Sequence, residues 1–287
     1  MQYHSLATLI FSVMDISKLG YAKHDGERNL EEAHPERVST DNECGHIANV
    51  IIDSRYTKGQ PTIDANIFFI ISGGSEREKD YFQPINKNSR RVKIAFVSKR
   101  NQGLNPKQLF EKAEEFIDCK IFTIEKDAKY HIEDNDMIFL LQDVDEYYKD
   151  LQCLIQKSKE YPQLKWIVSN PSFEIWLYYH YFSELEHLTY GLSLDVSKRS
   201  KWLKTHLHEI ISGGVQTKKV FYDVQIAIAN SLKNYREDDN GFPMVYSTQM
   251  HILASNVLSA MGTELEEMIE QRTKDIEYFR KILRETT

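Results

Sequence analysis

The stretch Met137-Ile-Phe-Leu-Leu-Gln-Asp143-Val-Asp145 joins a short apolar run to two acids one residue apart. A run this short, rich in Ile, Leu and Phe, predicts a buried strand of a parallel sheet. Alternate strand residues share a face, so Asp143 and Asp145 should point to the same side. Ligands of open α/β sheets gather at the carboxyl ends of strands, where this pair falls. Two carboxylates held close together repel unless a cation lies between them. Mg²⁺ takes hard oxygen ligands and can be held by one or two carboxylates plus waters. The pair therefore points to a magnesium site. The blander alternative is that it caps the next helix, expected from Glu146 to Tyr161, whose N-terminus favours negative charge.

Two further groups of residues could serve the same chemistry. Gly73-Gly74-Ser75-Glu76-Arg77-Glu78 follows an earlier apolar run and opens a helix. A glycine turn at a helix N-terminus presents free N–H groups to anions, but no Gly-Lys-Ser/Thr follows, which excludes a P-loop. Glu76 or Glu78 could act there as a metal ligand or general base, or could simply complement the helix dipole. The third group is Ser169-Asn-Pro-Ser-Phe-Glu174-Ile-Trp176, running into an aromatic segment that ends near His180, Tyr181 and Phe182. Asn170 before Pro171 predicts a helix start. Glu174 then falls in its first turn, near the strand ends. His180, surrounded by aromatic residues, reads more simply as a satisfied buried histidine.

These residues need a scaffold, and the pattern supplies one. Asn66–Ser72, Val92–Val97, Met137–Gln142 and Leu164–Ser169 predict buried strands, with a weaker strand at Lys120–Ile124. Ser75 is the expected cap of the helix after the first strand. Asn105-Pro106, with Gln108 three residues beyond the cap, is a strong helix start. Strands alternating with helices mean βαβ units, right-handed crossovers and a parallel sheet covered on both faces. After Phe182 helical periods dominate, over Lys198–Ile211, Thr217–Tyr235, Ser247–Met261 and Glu264–Arg284. Three parts follow: an N-terminal extension (1–60), an α/β core (61–185) and a helical C-terminal lobe (186–287). The apolar patch Leu6–Met14 in the extension needs covering.

Composition narrows the class. The 287 residues, 41% hydrophobic and 28% charged, are those of a soluble globular protein. Cys44, Cys119 and Cys153 have no metal-ligand spacing, and three cannot all pair, which favours a reducing cytoplasm. No stretch predicts a signal peptide or membrane span. A net charge of −7 disfavours indiscriminate coating of DNA. Basic residues nevertheless cluster at Arg90, Arg91 and Lys93, at Lys99 and Arg100, and at Lys198, Arg199, Lys201 and Lys204. Around an acidic metal centre, Lys99, Arg100, Lys198, Arg199 and Lys201 become candidate contacts to nucleic acid. Otherwise they are solvated faces.

Taken together, the glycine turn with its acidic helix start and Tyr81-Phe82, the Asn105-Pro106 helix, the Asp143/Asp145 pair and the SNPSFEIW segment with His180 resemble the RloB family of bacterial proteins. Ser247-Thr-Gln-Met-His251 is similar to a Ser-Thr-x-x-His segment of that family. The resemblance covers about Asn66 to Met261 and implies a TOPRIM-like core: a parallel sheet flanked by helices. It further implies Mg²⁺-dependent (or Mn²⁺-dependent) phosphodiester chemistry on DNA or RNA, in defence against phage or foreign DNA by abortive infection, beside a partner ATPase. Self-association into a homo-oligomer is left open. By this resemblance Asp143, Asp145 and Glu78 would hold metal, and Glu76, Glu78, Asp143, Asp145 and Glu174 would form the catalytic group. A non-catalytic binding subunit of a defence complex is the alternative. One departure favours it: family members commonly carry Glu-Gly directly after the first strand, where this chain has Ser72-Gly73-Gly74. Glu76 or Glu78 would then have to fill the missing role.

Overall fold

The structure, a computed structural model, describes residues 66–74, 76–99, 103–124, 128–144 and 147–285. The expected extension, with its Leu6–Met14 patch, lies outside the described residues, as do Ser75, Arg100, Asp145 and Glu146.

Four parallel strands form the central sheet: β1 (Asn66–Ser72), β2 (Val92–Val97), β5 (Ile138–Asp143) and β6 (Leu164–Ser169). Their order is β2-β1-β5-β6. Helix α1 (Arg77–Asn88) links β1 to β2, and α2 (Pro106–Cys119) begins the return across β1 toward β5. The chain thus reverses its direction of travel between β1 and β5, and open α/β sheets bind ligands at such a reversal. The expected α/β architecture is the observed one, including the strand at Met137–Gln142, which extends to Asp143.

Alternation along each strand divides the core in two. Phe68, Ile70, Phe139, Leu141 and Ile167 face one side, packed with Tyr81, Phe82 and Ile85 of α1. Phe69, Ile71, Ile138, Leu140 and Val168 face the other, packed with Leu109, Phe110, Ala113 and Phe116 of α2. Helix α2 starts as its sequence dictates: Gln108 N–H donates to the Asn105 side chain (2.9 Å) and Asn105 N–H to that of Gln108 (3.2 Å). The weak strand is real, as β3 (Ile121–Ile124), but stands outside the main sheet. It pairs antiparallel with β4 (Ala128–His131), a strand the pattern did not suggest. Phe122 anchors this hairpin, with ring centroids 4.6 Å from Phe116 and 4.9 Å from Phe69.

Further along come α3 (Tyr148–Lys157), α4 (Glu174–Tyr178), α5 (Thr189–Leu192), α6 (Val196–Ile210), α7 (Thr217–Val220), α8 (Val224–Asn234), α9 (Met250–Met261) and α10 (Glu264–Glu285). Leu203 and Leu207 of α6, Ala227 of α8 and Leu253 of α9 join the same buried cluster as α1 and its sheet face. The single helix expected over Thr217–Tyr235 is divided by a 3₁₀ turn, Phe221–Asp223, where Phe221 enters the core against Tyr81 (ring centroids 5.5 Å). Among the described residues no helix is long and apolar enough to cross a membrane.

The helix expected from Ser247 begins only at Met250, because residues 247–249 do other work. Gln249 N–H donates to the Val168 carbonyl (2.9 Å), and its side-chain oxygen accepts Val168 N–H (3.1 Å). Thr248 pairs with Ser169, hydroxyl to hydroxyl at 2.7 Å. The Ser-Thr-x-x-His segment therefore closes the outer edge of β6, and its buried His251 bonds the Thr248 carbonyl through Nδ1 (2.8 Å). Truncating Gln249 strands a strand-edge N–H, which costs roughly 1–3 kcal/mol where it is buried. Gln249→Ala should accordingly lower the denaturation midpoint without changing the denaturant slope, as a urea titration would show.

Candidate active site at the carboxyl ends of β1, β5 and β6

Sequence and backbone together explain how the acids arrive. At the end of β1, Gly73 N–H continues the ladder to the Leu141 carbonyl (2.9 Å), and Gly74 N–H donates to the Ser72 hydroxyl (3.1 Å). The chain then turns into α1. Glu76 sits at the N-cap position, exposed, with no capping bond from its side chain. Glu78, in the first turn, is buried. Its carboxylate folds back over Gly74 so closely that a Cβ there would lie 1.9 Å from Oε1. Glycine at 74 is therefore the space into which Glu78 is packed. Of the two candidate glutamates, the fold turns only Glu78 inward.

Asp143 ends β5, level with Ser169 on β6. Its Oδ1 accepts the N–H of Phe173 (2.7 Å), the residue that precedes α4. The acid does serve a helix start, but that of the helix after β6 rather than its own. The expected helix start at Asn170-Pro171 is displaced: this peptide is cis, Asn170 donates its side-chain N–H to the Pro243 carbonyl (2.8 Å), and α4 begins at Glu174. Asn170 N–H also bonds the Ser247 carbonyl and its own carbonyl accepts Tyr246 N–H. The loop is held by the segment before α9, and this hold, with Asp143, sets where Glu174 points.

Glu174 is 2% exposed. Its Oε1 pairs with Arg77 Nη1 at 2.7 Å, and Oε2 lies 4.0 Å from Lys204 Nζ without a hydrogen-bond partner. Arg77 Nη2 donates to His208 Nε2 (3.3 Å). Lys204 and His208 are four apart on α6, so one helix face presents both to the site. Burial chiefly, with repulsion from Glu174, pushes Glu78 from its ordinary 4.5 up to about 7, against the pull of its own backbone N–H, Lys204 and Arg77. The buried acids are thus faced by cations from two helices, Arg77 of α1 and Lys204 of α6.

Lys99 is exposed beyond the end of β2. Lys198 pairs with Asp195 (2.8 Å), and Arg199 donates to the carbonyls of Leu194 and Leu192. Lys201 is exposed on α6, one turn before Lys204. His180 is the satisfied buried histidine: Nδ1 bonds the Trp176 carbonyl (3.0 Å), Nε2 lies 3.3 Å from the Tyr81 hydroxyl, and burial lowers its pKa to about 3. Arg77, Lys204 and His208 were not among the residues singled out for chemistry from sequence. The four-residue spacing of Lys204 and His208 was the available signal.

Among the described residues no group of three or more His, Cys, Asp or Glu side chains is gathered as for a metal ion. The donor chemistry nonetheless suits a hard cation: carboxylates at Glu78, Asp143 and Glu174, with two buried oxygens, Glu174 Oε2 and Gln142 Oε1, that lack hydrogen-bond partners.

A family model described as RloB-like protein matches residues 68–257. That span runs from within β1 through most of α9, including the Glu78, Asp143, Glu174 and Lys204 positions. No curated protein and no solved structure matches the chain. The chain belongs to the RloB-like family.

Proposed function

We propose that this protein is a Mg²⁺-dependent nuclease, cleaving phosphodiester bonds of DNA or RNA in anti-phage defence. The observation that carries this reading is the meeting of Glu78 and Glu174 beside Arg77 and Lys204 at the sheet's reversal point, with Glu174 Oε2 buried and unbonded. Asp143, Asp145 and Glu174 would hold the metal. Mg²⁺ (or Mn²⁺) would supply Lewis acidity to a phosphoryl oxygen and neutralise charge as it develops. Glu78, with a pKa near neutrality, suits the base that takes a proton from attacking water. Arg77 and Lys204 would hold phosphate oxygens, with Lys201 and Lys99 extending the contact along the backbone. Exposed Glu76 takes no part in this scheme.

A second reading is a non-catalytic subunit that binds nucleic acid beside a partner ATPase. The glycine pair in place of Glu-Gly after β1 favours it. Incubating purified protein with labelled single- and double-stranded DNA and RNA, in Mg²⁺, Mn²⁺ or EDTA, separates the two. Cleavage that needs the metal supports the nuclease; binding without cleavage under every condition supports the subunit.

The cationic face of α6 gives its own prediction. Lys204→Ala should weaken nucleic-acid binding and make the slope of log K against log salt shallower by roughly 0.7–0.9, the loss of about one phosphate contact. Lys198→Ala, whose cation is already paired with Asp195, should leave that slope unchanged.

A further inference from the structure

Helix α6 reaches beyond the acids it faces. Its 15 residues hold Lys198, Arg199, Lys201 and Lys204 against one acid, Glu209. Buried Leu203 and Leu207 mark its inner side. At about 3.6 residues per turn, Lys204 and His208 then lie on one flank, Lys201 crosses the outer surface, and Trp202 and His206 lie on the opposite flank. That far flank is aromatic. The His206 ring stacks on Trp202, with centroids 4.6 Å apart and planes 18° apart, and its Nε2 bonds the His187 carbonyl (2.8 Å). Trp202 packs so closely on α5, the preceding helix, that a Cβ at Gly191 would lie 2.4 Å from its ring. Tyr190 of α5 leans on Trp202 (ring centroids 5.9 Å) yet is 63% exposed, and Leu192 and Val196 beside it in sequence are exposed too.

An exposed aromatic ring beside a cationic track suits single-stranded nucleic acid. The backbone takes the charges, and unstacked bases offer their faces to the ring. In a duplex those faces are already stacked on one another. Roughly 10–12 Å of helix width separates the two flanks of α6, about three stacked nucleotides at ~3.4 Å each. We infer that α6 guides a single strand from the acidic site across Lys201 to Tyr190, whose ring stacks on a base about three nucleotides from the phosphate held at the site. The inference rests on the reading of that site as one for nucleic acid, and it adds the substrate class: single strands rather than duplex.

Fluorescence anisotropy of labelled oligothymidylate, oligouridylate and a hairpin duplex, titrated with the full-length protein in EDTA so that no strand is cut, tests this. Tyr190→Ala should weaken binding of the single strands about tenfold or more, and Tyr190→Phe should keep parental affinity. The slope of log K against log salt should stay the same in Tyr190→Ala, because no phosphate contact is lost. Tyr190 is exposed, so both variants should melt with the parent. Tyr190→Ala that binds both strands as the parent does would overturn the inference and leave the patch as a surface for a protein partner. An equal loss for the duplex would also overturn it. A parent that binds neither strand nor duplex would overturn both this inference and the nucleic-acid reading of the site. Tyr190-dependent binding without cleavage in Mg²⁺ would uphold the inference and reject only the nuclease.

Discussion

Asp143→Asn should lower cleavage at least 100-fold while leaving the melting temperature within about 2 °C of the parent. The structure separates the two effects. Asn keeps an oxygen at the Oδ1 position, so the bond from Phe173 N–H that helps set the start of α4 survives. What disappears is the negative charge, on which a hard cation depends. Asp143→Ala removes both, and its lost acceptor adds a cost of roughly 1–3 kcal/mol in stability. The pair of variants, assayed side by side by cleavage and thermal melting, distinguishes metal binding from helix capping. An Asn variant with parental activity would reduce Asp143 to a structural acceptor.

Glu78→Gln has the largest expected effect on pH dependence. Unfolded, Glu78 ionises near 4.5; folded, near 7. Between those values the folded chain keeps a proton that the unfolded chain has lost. Its contribution to stability is therefore intact below about 4.5 and declines as pH rises to about 7, by up to roughly 3 kcal/mol. Gln mimics the protonated acid, so the variant should be the more stable protein at pH 8 and equal to the parent near pH 4.5. Parental cleavage should rise through pH 7 as Glu78 ionises, and the variant should lose that limb. Urea titrations at pH 5 and 8 with matching pH–rate profiles check both. A parent whose stability rises over this interval would place the Glu78 pKa below its ordinary value.

Much of this fold was legible because short apolar runs and glycine or Asn-Pro punctuation are local signals. β1, β2, β5, β6 and the capped start of α2 lie close to where the pattern put them. The failures share a cause: bonds made by distant residues. Ser247–Gln249 look helical by period but serve the edge of β6. Asn170-Pro171 look like a helix start but are held by Pro243 and Ser247. At the site, composition could nominate Glu76 and Glu78 equally. Only the packing of Glu78 over Gly74 chooses between them. Arg77 and Lys204 are 127 residues apart in sequence, and no spacing rule connects them to Glu174. Arg199, nominated by a run of basic residues, also bonds the nearby Leu194 carbonyl, which no run of charges announces.

The acids at the ends of β1, β5 and β6 are proposed to form a Mg²⁺ site for phosphodiester cleavage. Titrating Mg²⁺ into the protein at pH 8, with heat recorded calorimetrically and oligonucleotide cleavage measured over the same concentrations, addresses it most directly. The expected result is a saturable heat and cleavage sharing one midpoint, both lost in Asp143→Asn. No heat at any Mg²⁺ concentration, or cleavage that persists unchanged in EDTA, would contradict it.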